Sequence, residues 1–128
     1  MKIILFILCV IIGVHAYAQE IRVKYKLTEI DTSTLSEYYM FRFINIDEHK
    51  KVIVISSKNT RALKGCWEYF KLDEVYSLYL YKIFTIKMAD VWIPINGGFG
   101  NEKGMILQPG DFFYCSEQIN GLFVNVQQ

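Results

Sequence analysis

The segment FFYCSEQINGLFVNV, residues 112–126, carries the strongest short-range fold signal in the chain. Its Asn120-Gly121 pair separates two apolar and aromatic runs, 112–119 and 122–126, and Asn-Gly between such runs is the strongest two-residue signal for a β-hairpin. With this pair as the turn, alternation along the runs places Cys115 on the apolar face. The sequence therefore predicts a C-terminal antiparallel hairpin with Cys115 pointing inward.

Period-2 patterns upstream of this hairpin predict further strands. Residues 21–28 alternate apolar and polar side chains, which is typical of a strand with one solvated face. Segments 38–46 and 52–56 are rich in β-branched and aromatic residues, and the turn residues at 45–51 predict that they form a second hairpin. Residues 75–88 have the same composition and predict one long or broken strand.

Two shorter strands are predicted at 91–95 and 105–107. Pro94 cannot donate a backbone hydrogen bond, so the first of these strands is expected at a sheet edge. The glycine-rich stretch 96–104 between them could cradle a phosphate only if it led into a helix. Because Lys103 is followed by glycine and another strand, we interpret the stretch as a connection between strands.

Residues 60–71 are the one ambiguous segment. Their apolar positions, among them Cys66 and Trp67, recur at helical spacing, which predicts one short helix. Gly65 in the middle of such a helix costs about 1 kcal/mol relative to alanine, so an irregular strand is the alternative.

About seven short strands with frequent turns predict a mainly β, single-domain antiparallel β-sandwich or small barrel over residues 19–128. The segment Leu107-Gln108-Pro109-Gly110-Asp111, before the final aromatic strand, resembles the late strands of small secreted bacterial immunoglobulin-like domains. The antibody-type pattern differs here, because Trp67 adjoins the first cysteine and Phe113 stands where a corner tyrosine is expected. The resemblance implies the sandwich architecture and no particular function.

Residues 1–18 have the pattern of a cleaved signal peptide. Lys2 supplies a short cationic start, residues 3–14 form an apolar run, and Ala16-Tyr17-Ala18 has the A-x-A form of a cleavage site. Twelve residues of helix are too short to cross a hydrocarbon core of about 30 Å. We therefore expect an exported protein, periplasmic, cell-surface or secreted, that does not insert in a membrane once the leader is removed.

Export changes how the cysteines are interpreted. Cys9 is lost with the leader, which leaves Cys66 and Cys115 as an even pair in an oxidising compartment. A disulfide between them is the prediction, and two separate buried thiols are the alternative. With His49 these two residues make too few ligands for a metal site, so neither a metal nor a cofactor is expected.

Charge and motifs narrow the function classes. The chain has 14 basic and 13 acidic side chains, and a net charge of +1 argues against binding nucleic acid through a bulk field. His49, the one histidine after the leader, lies in the charged turn 47–51, and no hydrolase or metalloprotease motif occurs. A carboxylate pair of a small secreted hydrolase would leave no signature in the sequence.

Aromatic side chains make up 16% of the chain, and exposed rings could stack on sugars or anchor a protein partner. The candidate ligand-binding residues are Trp92 and Phe99, which flank the glycine-rich stretch, and Tyr79 and Tyr81. The sequence thus predicts a non-enzymatic binding or interaction domain of the bacterial envelope or exterior, with a protein or glycan as ligand. The alternatives are the hydrolase and an envelope assembly or structural subunit that pairs through the edge strand near Pro94.

Overall fold

A computed structural model describes residues 22–60, 64–95, 98–101 and 104–126, and these residues form thirteen β-strands and no helix. None of the described elements is a helix long and apolar enough to cross a membrane. The predicted leader, residues 1–18, lies outside the described residues. The strands are β1 (Val23–Asp31), β2 (Tyr38–Asn45), β3 (Lys51–Ser57), β4 (Trp67–Tyr69), β5 (Val75–Leu78), β6 (Tyr81–Ile83), β7 (Thr85–Met88), β8 (Val91–Pro94), β9 (Phe99–Asn101), β10 (Gly104–Leu107), β11 (Phe113–Cys115), β12 (Ile119–Asn120) and β13 (Phe123–Asn125).

Six strands form one large sheet in the order β5-β1-β2-β3-β11-β6. The predicted β2–β3 hairpin is confirmed, and its turn is organised by Asn45, whose side-chain oxygen accepts the backbone N–H groups of Asp47 and Glu48 at 2.9 Å each. All neighbours in this sheet are antiparallel except β3 and β11, which run parallel with Phe113 opposite Ile53. The sheet is therefore mixed, whereas the sequence predicted a purely antiparallel one.

The large sheet is rolled. Its two edge strands, β5 and β6, are separated in sequence by Tyr79 and Leu80 alone. Leu78 and Tyr81 are three residues apart, so their Cα atoms lie within about 11 Å of each other. No pairing closes the two edges within the described residues, so the sheet stays an open, curled layer. The predicted strand 75–88 is thus broken into β5, β6 and β7.

Two hydrophobic clusters lie on the two sides of the large sheet. Phe41, Phe43 and Val54 contribute to the first cluster, on one face, while Met40 and Ile55 contribute to the second, on the opposite face. A three-stranded sheet, β12-β13-β4, packs on the face of the first cluster, and the hairpins β7–β8 and β9–β10 pack on part of the face of the second. This layering confirms the mainly β, sandwich-like fold.

The C-terminal hairpin forms, but its register differs from the predicted one. Ile119 lies opposite Val124 and Asn120 opposite Phe123, so the two turn residues are Gly121 and Leu122. Gly121 has φ = 60°, and glycine is the residue that tolerates a positive φ at the first turn position. A Cβ there would lie 2.5 Å from Cγ2 of Thr60, so close packing also favours glycine.

The predicted disulfide is wrong, because Cys66 and Cys115 are free thiols in the structure. The run 112–119 does not stay in one sheet: a turn at 116–118 separates β11 of the large sheet from β12 of the small one. Cys115 stays with β11 and is half-buried, while Cys66 is exposed before β4. The two cysteines therefore belong to different layers.

The short helix predicted at 60–71 is also absent from the described part of that segment. Residues 67–69 form strand β4, which pairs with β13, and residues 61–63 lie outside the described residues. Gly65 adopts φ = 99°, a conformation outside the helical region that only glycine adopts readily. The irregular-strand alternative is therefore the one that the described residues support.

Candidate functional site

Three aromatic side chains occupy the outer face of the small sheet. Strand β4 places Trp67 and Tyr69 two residues apart, hence on the same face, and β13 sets Phe123 directly opposite Tyr69. Val124, the next residue along β13, points inward and is buried in the first hydrophobic cluster. Phe123 therefore points away from the core, and we call Trp67, Tyr69 and Phe123 the aromatic platform.

Ring contacts and a hydrogen bond hold the aromatic platform in place. The rings of Tyr69 and Phe123 stack with centroids 4.3 Å apart and an interplanar angle of 30°. The indole Nε1–H of Trp67 donates to the backbone carbonyl of Lys64 at 2.7 Å, which limits rotation of that ring. Tyr69 is 62% exposed even though it is stacked, while Trp67 and Phe123 are half-buried. The platform thus presents a supported aromatic surface to solvent.

This surface can stack on a ligand, and it carries polar groups at its border. An aromatic face binds flat apolar surfaces such as the C–H face of a sugar ring, and the Tyr69 hydroxyl adds a polar tip. Asn125 lies opposite Trp67 on the same face and brings an amide group beside the rings. Such a combination can hold a ligand that has one apolar face and polar edges.

Two of the sequence-predicted residues, Trp92 and Phe99, lie on separate hairpins. Trp92 on β8 is 65% exposed, and Lys87 on β7 lies opposite it, with Nζ 5.9 Å from the centre of the indole ring. Phe99 on β9 is half-buried and meets the ring of Phe113 edge-on at 5.5 Å. Trp92 therefore remains accessible to a ligand, whereas Phe99 contributes to the second hydrophobic cluster.

The other two predicted residues lie where β5 passes into β6. Tyr79 is half-buried, its backbone N–H donates to the side chain of Gln118 at 2.8 Å, and the Arg22 guanidinium lies 4.9 Å above its ring. Tyr81 is half-buried on β6, opposite Cys115. Both tyrosines are thus embedded in contacts at the edge of the large sheet.

The residues of the aromatic platform are not among the sequence-predicted candidates. The predicted helix over 60–71 places Trp67 on its apolar face and does not include Tyr69 there. The signal that could have found them is the alternation of Trp67, Glu68 and Tyr69, which has the period of a strand. Alternation along the hairpin strand also indicates that Phe123 lies on the face opposite Val124. Its partnership with β4 depends on tertiary pairing.

A second candidate site, the basic groove, has a volume of about 620 Å³ and lies beside the start of β3. Pairing of β3 with β11 begins at Ile53, and the chain at 110–112 diverges from β3 to form the opposite wall. Tyr114 lines this wall, and burial together with the nearby Asp111 carboxylate raises the pKa of its phenol. The charged residues that line the groove are Glu29, Arg42, Lys50, Lys51, Lys82 and Asp111.

One wall of the groove is shaped by an irregularity in β1. The pairing register between β1 and β2 shifts between Leu27 and Glu29, which brings Glu29 opposite Arg42. Glu29 Oε1 lies 3.2 Å from Nε of Arg42, and the Thr28 hydroxyl donates to the Arg42 carbonyl at 2.9 Å. The bulge therefore neutralises one of the cations that line the groove.

No protein-family model matches this chain, and no curated protein and no solved structure matches it.

Proposed function

We propose that this protein is a non-enzymatic binding domain that acts outside the cytoplasm and recognises a glycan through the aromatic platform. The observation that carries the proposal is Tyr69, which is 62% exposed while its ring is stacked on Phe123. Aromatic residues exposed together on one face are a common feature of interaction sites.

Rigidity supports a binding role for this surface. The stacked ring of Phe123 and the hydrogen bond from Trp67 to Lys64 restrict the platform before a ligand arrives. Binding to a preorganised surface costs less conformational entropy than binding that must first order its side chains. Aromatic rings also provide large contact areas with few rotatable bonds.

A glycan fits the platform better than a protein partner does. A sugar ring has an apolar C–H face that matches an aromatic ring, and its hydroxyl edge matches the polar hydroxyl tip of the exposed Tyr69. A specific protein partner would need an interface of about 800 Å² on each side, more than three rings provide. The signal-peptide pattern of residues 1–18 supports a site at the bacterial envelope, in the periplasm or outside the cell.

Two other proposals from the sequence have less support. A hydrolase needs a general acid and a base, and the carboxylates that line the basic groove are Glu29 and Asp111. Glu29 already forms an ion pair with Arg42, so one of the two carboxylates is engaged with the protein itself. An assembly subunit would pair through β8, where Pro94 lies opposite Thr85 and lacks the N–H that a new ladder needs.

The proposal is tested with purified polysaccharides from bacterial envelopes and from plant and animal matrices. Affinity electrophoresis identifies which of them retards the protein, and calorimetry with a matching oligosaccharide gives the dissociation constant. We expect Tyr69→Ala to weaken binding at least about fivefold, since truncating a central aromatic anchor costs ~1 kcal/mol or more. The free energy of unfolding should change little, because the Tyr69 side chain is mostly exposed.

Phe84→Ala is the matched control. Phe84 is 63% exposed and packs edge-on against Phe112 at 5.5 Å, so it resembles Tyr69 in exposure and ring contact but lies away from the platform. Its truncation should leave glycan affinity unchanged. Trp92→Ala tests the other exposed ring. If Trp92→Ala abolishes binding and Tyr69→Ala does not, the site lies on β7–β8, and if no polysaccharide binds at all, the glycan proposal fails.

A further inference from the structure

The basic groove contains more positive charge than its own carboxylates neutralise. Glu29 already forms an ion pair with Arg42, with Oε1 and Nε 3.2 Å apart. This leaves Lys50, Lys51 and Lys82 facing one further carboxylate, that of Asp111. Within the described ranges, neither Lys50 nor Lys51 forms an ion pair.

Lys82 is positioned on the opposite side of the groove from the β2–β3 turn. Its Nζ lies 4.9 Å from the centre of the Phe112 ring, a cation–π contact that keeps the ammonium group near the groove wall. Lys50 directly precedes β3, and Lys51 is the first residue of the strand. At these two positions β3 is not paired with β11, because that pairing begins at Ile53. Cations therefore border the groove on both sides.

The lining between these cations includes apolar residues. Ile44, Ile53 and Ile106 line the groove and are half-buried, so part of each side chain remains accessible. Ile53 and Ile106 pack against the second hydrophobic cluster, which anchors them. The groove thus combines apolar and cationic lining residues, and its volume of about 620 Å³ lies in the range of small-molecule sites.

We propose that the basic groove is a binding site for a small amphiphilic carboxylate. The apolar part of such a ligand covers Ile44, Ile53 and Ile106, and its carboxylate lies between Lys82 and the Lys50-Lys51 pair. Charge-assisted hydrogen bonds from lysine to carboxylate are stronger than neutral ones, particularly where an apolar ligand displaces water. A ligand without the negative charge would leave the cations uncompensated.

This site is independent of the glycan-binding proposal, because the groove and the aromatic platform share no residue. The groove lies along β2, β3 and the 110–112 segment, whereas the platform is built from β4 and β13. The Tyr69→Ala variant should therefore bind the amphiphile as the unaltered protein does. If the test of one proposal fails, the other proposal is unaffected.

The test uses sodium decanoate as the probe and decyltrimethylammonium as a cation of the same chain length, both below their aggregation concentrations. Amide chemical shifts of the labelled protein are recorded during titration. We expect decanoate to shift amide signals of groove residues such as Ile53, Ile106 and Gly110, with saturation, and the cation to produce no saturable shift there. Higher salt should weaken decanoate binding, because the cations are accessible to solvent.

The double variant Lys50→Met/Lys51→Met removes two charges while keeping apolar stems, and it should weaken decanoate binding roughly tenfold. The control Lys64→Met/Lys71→Met removes the same charge from exposed residues that do not line the groove, so affinity should stay within about twofold of the unaltered protein. Equal binding of both amphiphiles, unchanged affinity in the Lys50/Lys51 variant, or the absence of saturable shifts in the groove would overturn the proposal.

Discussion

The two cysteines differ in their surroundings although they are chemically identical. Cys66 is exposed, and its backbone carbonyl accepts the N–H of Val126 at 3.0 Å. Cys115 is half-buried in β11, and burial together with the nearby Glu117 carboxylate raises the pKa of its thiol. Because the thiolate is the nucleophile, a raised pKa makes a cysteine less reactive at neutral pH.

For the protein without residues 1–18, which contain Cys9, we therefore predict two titratable thiols with unequal reaction rates. In the folded protein at pH 7.5, Cys66 should react with a disulfide reagent at least about tenfold faster than Cys115, because it is exposed and Cys115 stays protonated. Stopped-flow absorbance measures the two phases. Cys66→Ser should remove the fast phase and Cys115→Ser the slow one. A denatured, unreduced sample that shows no thiol at either position would restore the disulfide prediction.

At the scale of elements, the C-terminal hairpin shows that local turn chemistry alone does not select a register. Asn120-Gly121 predicts a hairpin from local chemistry, but several registers place glycine in a turn. In the observed register Gly121 takes the position with φ = 60° and lies against Thr60 and Tyr39. Contact with another part of the chain therefore decides between registers that local turn chemistry does not distinguish in free energy.

Gly121→Ala should destabilise the protein by about 2 kcal/mol, through backbone strain and the clash with Thr60. Urea unfolding followed by tyrosine and tryptophan fluorescence gives the free energy. Thr60→Ser removes the Cγ2 atom that a Cβ at Gly121 would meet at 2.5 Å. The double variant should then recover at least about 0.5 kcal/mol relative to the sum of the single changes. Strict additivity would show that the clash contributes nothing.

Across the whole molecule, Gln118 connects the chain leading into the small sheet with the edge of the large sheet. Its side-chain amide donates to the Ser77 carbonyl at 3.0 Å, and its side-chain oxygen accepts the Tyr79 N–H at 2.8 Å. Gln118 is buried, so water cannot replace these bonds without a rearrangement. The residue spans the point where β5 passes into β6 and the two edges of the rolled sheet approach.

Gln118→Ala is expected to lower the free energy of unfolding by about 2 kcal/mol, since it leaves a carbonyl and an N–H without partners. Chemical denaturation measures the loss, and hydrogen exchange should show faster exchange of the Tyr79 amide. Gln108→Ala is the control, because Gln108 is exposed, and its effect should stay within about 0.5 kcal/mol. Equal effects of the two substitutions would contradict a role for Gln118 in joining the layers.

Local pattern was enough to predict much of the fold. Alternation predicted β1, and β-branched runs with turn residues between them predicted the β2–β3 hairpin, because side-chain period and turn chemistry depend on neighbouring residues. These features need no knowledge of distant parts of the chain.

The sequence by itself determined strands β1 to β3, the hairpin between β2 and β3, the mainly β class and the supply of aromatic side chains. Tertiary structure decided that β11 pairs in parallel with β3, that Cys66 and Cys115 lie in different layers, and that Phe123 stacks on Tyr69. Each of these depends on contacts between residues far apart in sequence, whose free energy comes from packing two surfaces together. Local propensity cannot specify them, because it leaves many pairings of the same strands nearly equal in energy.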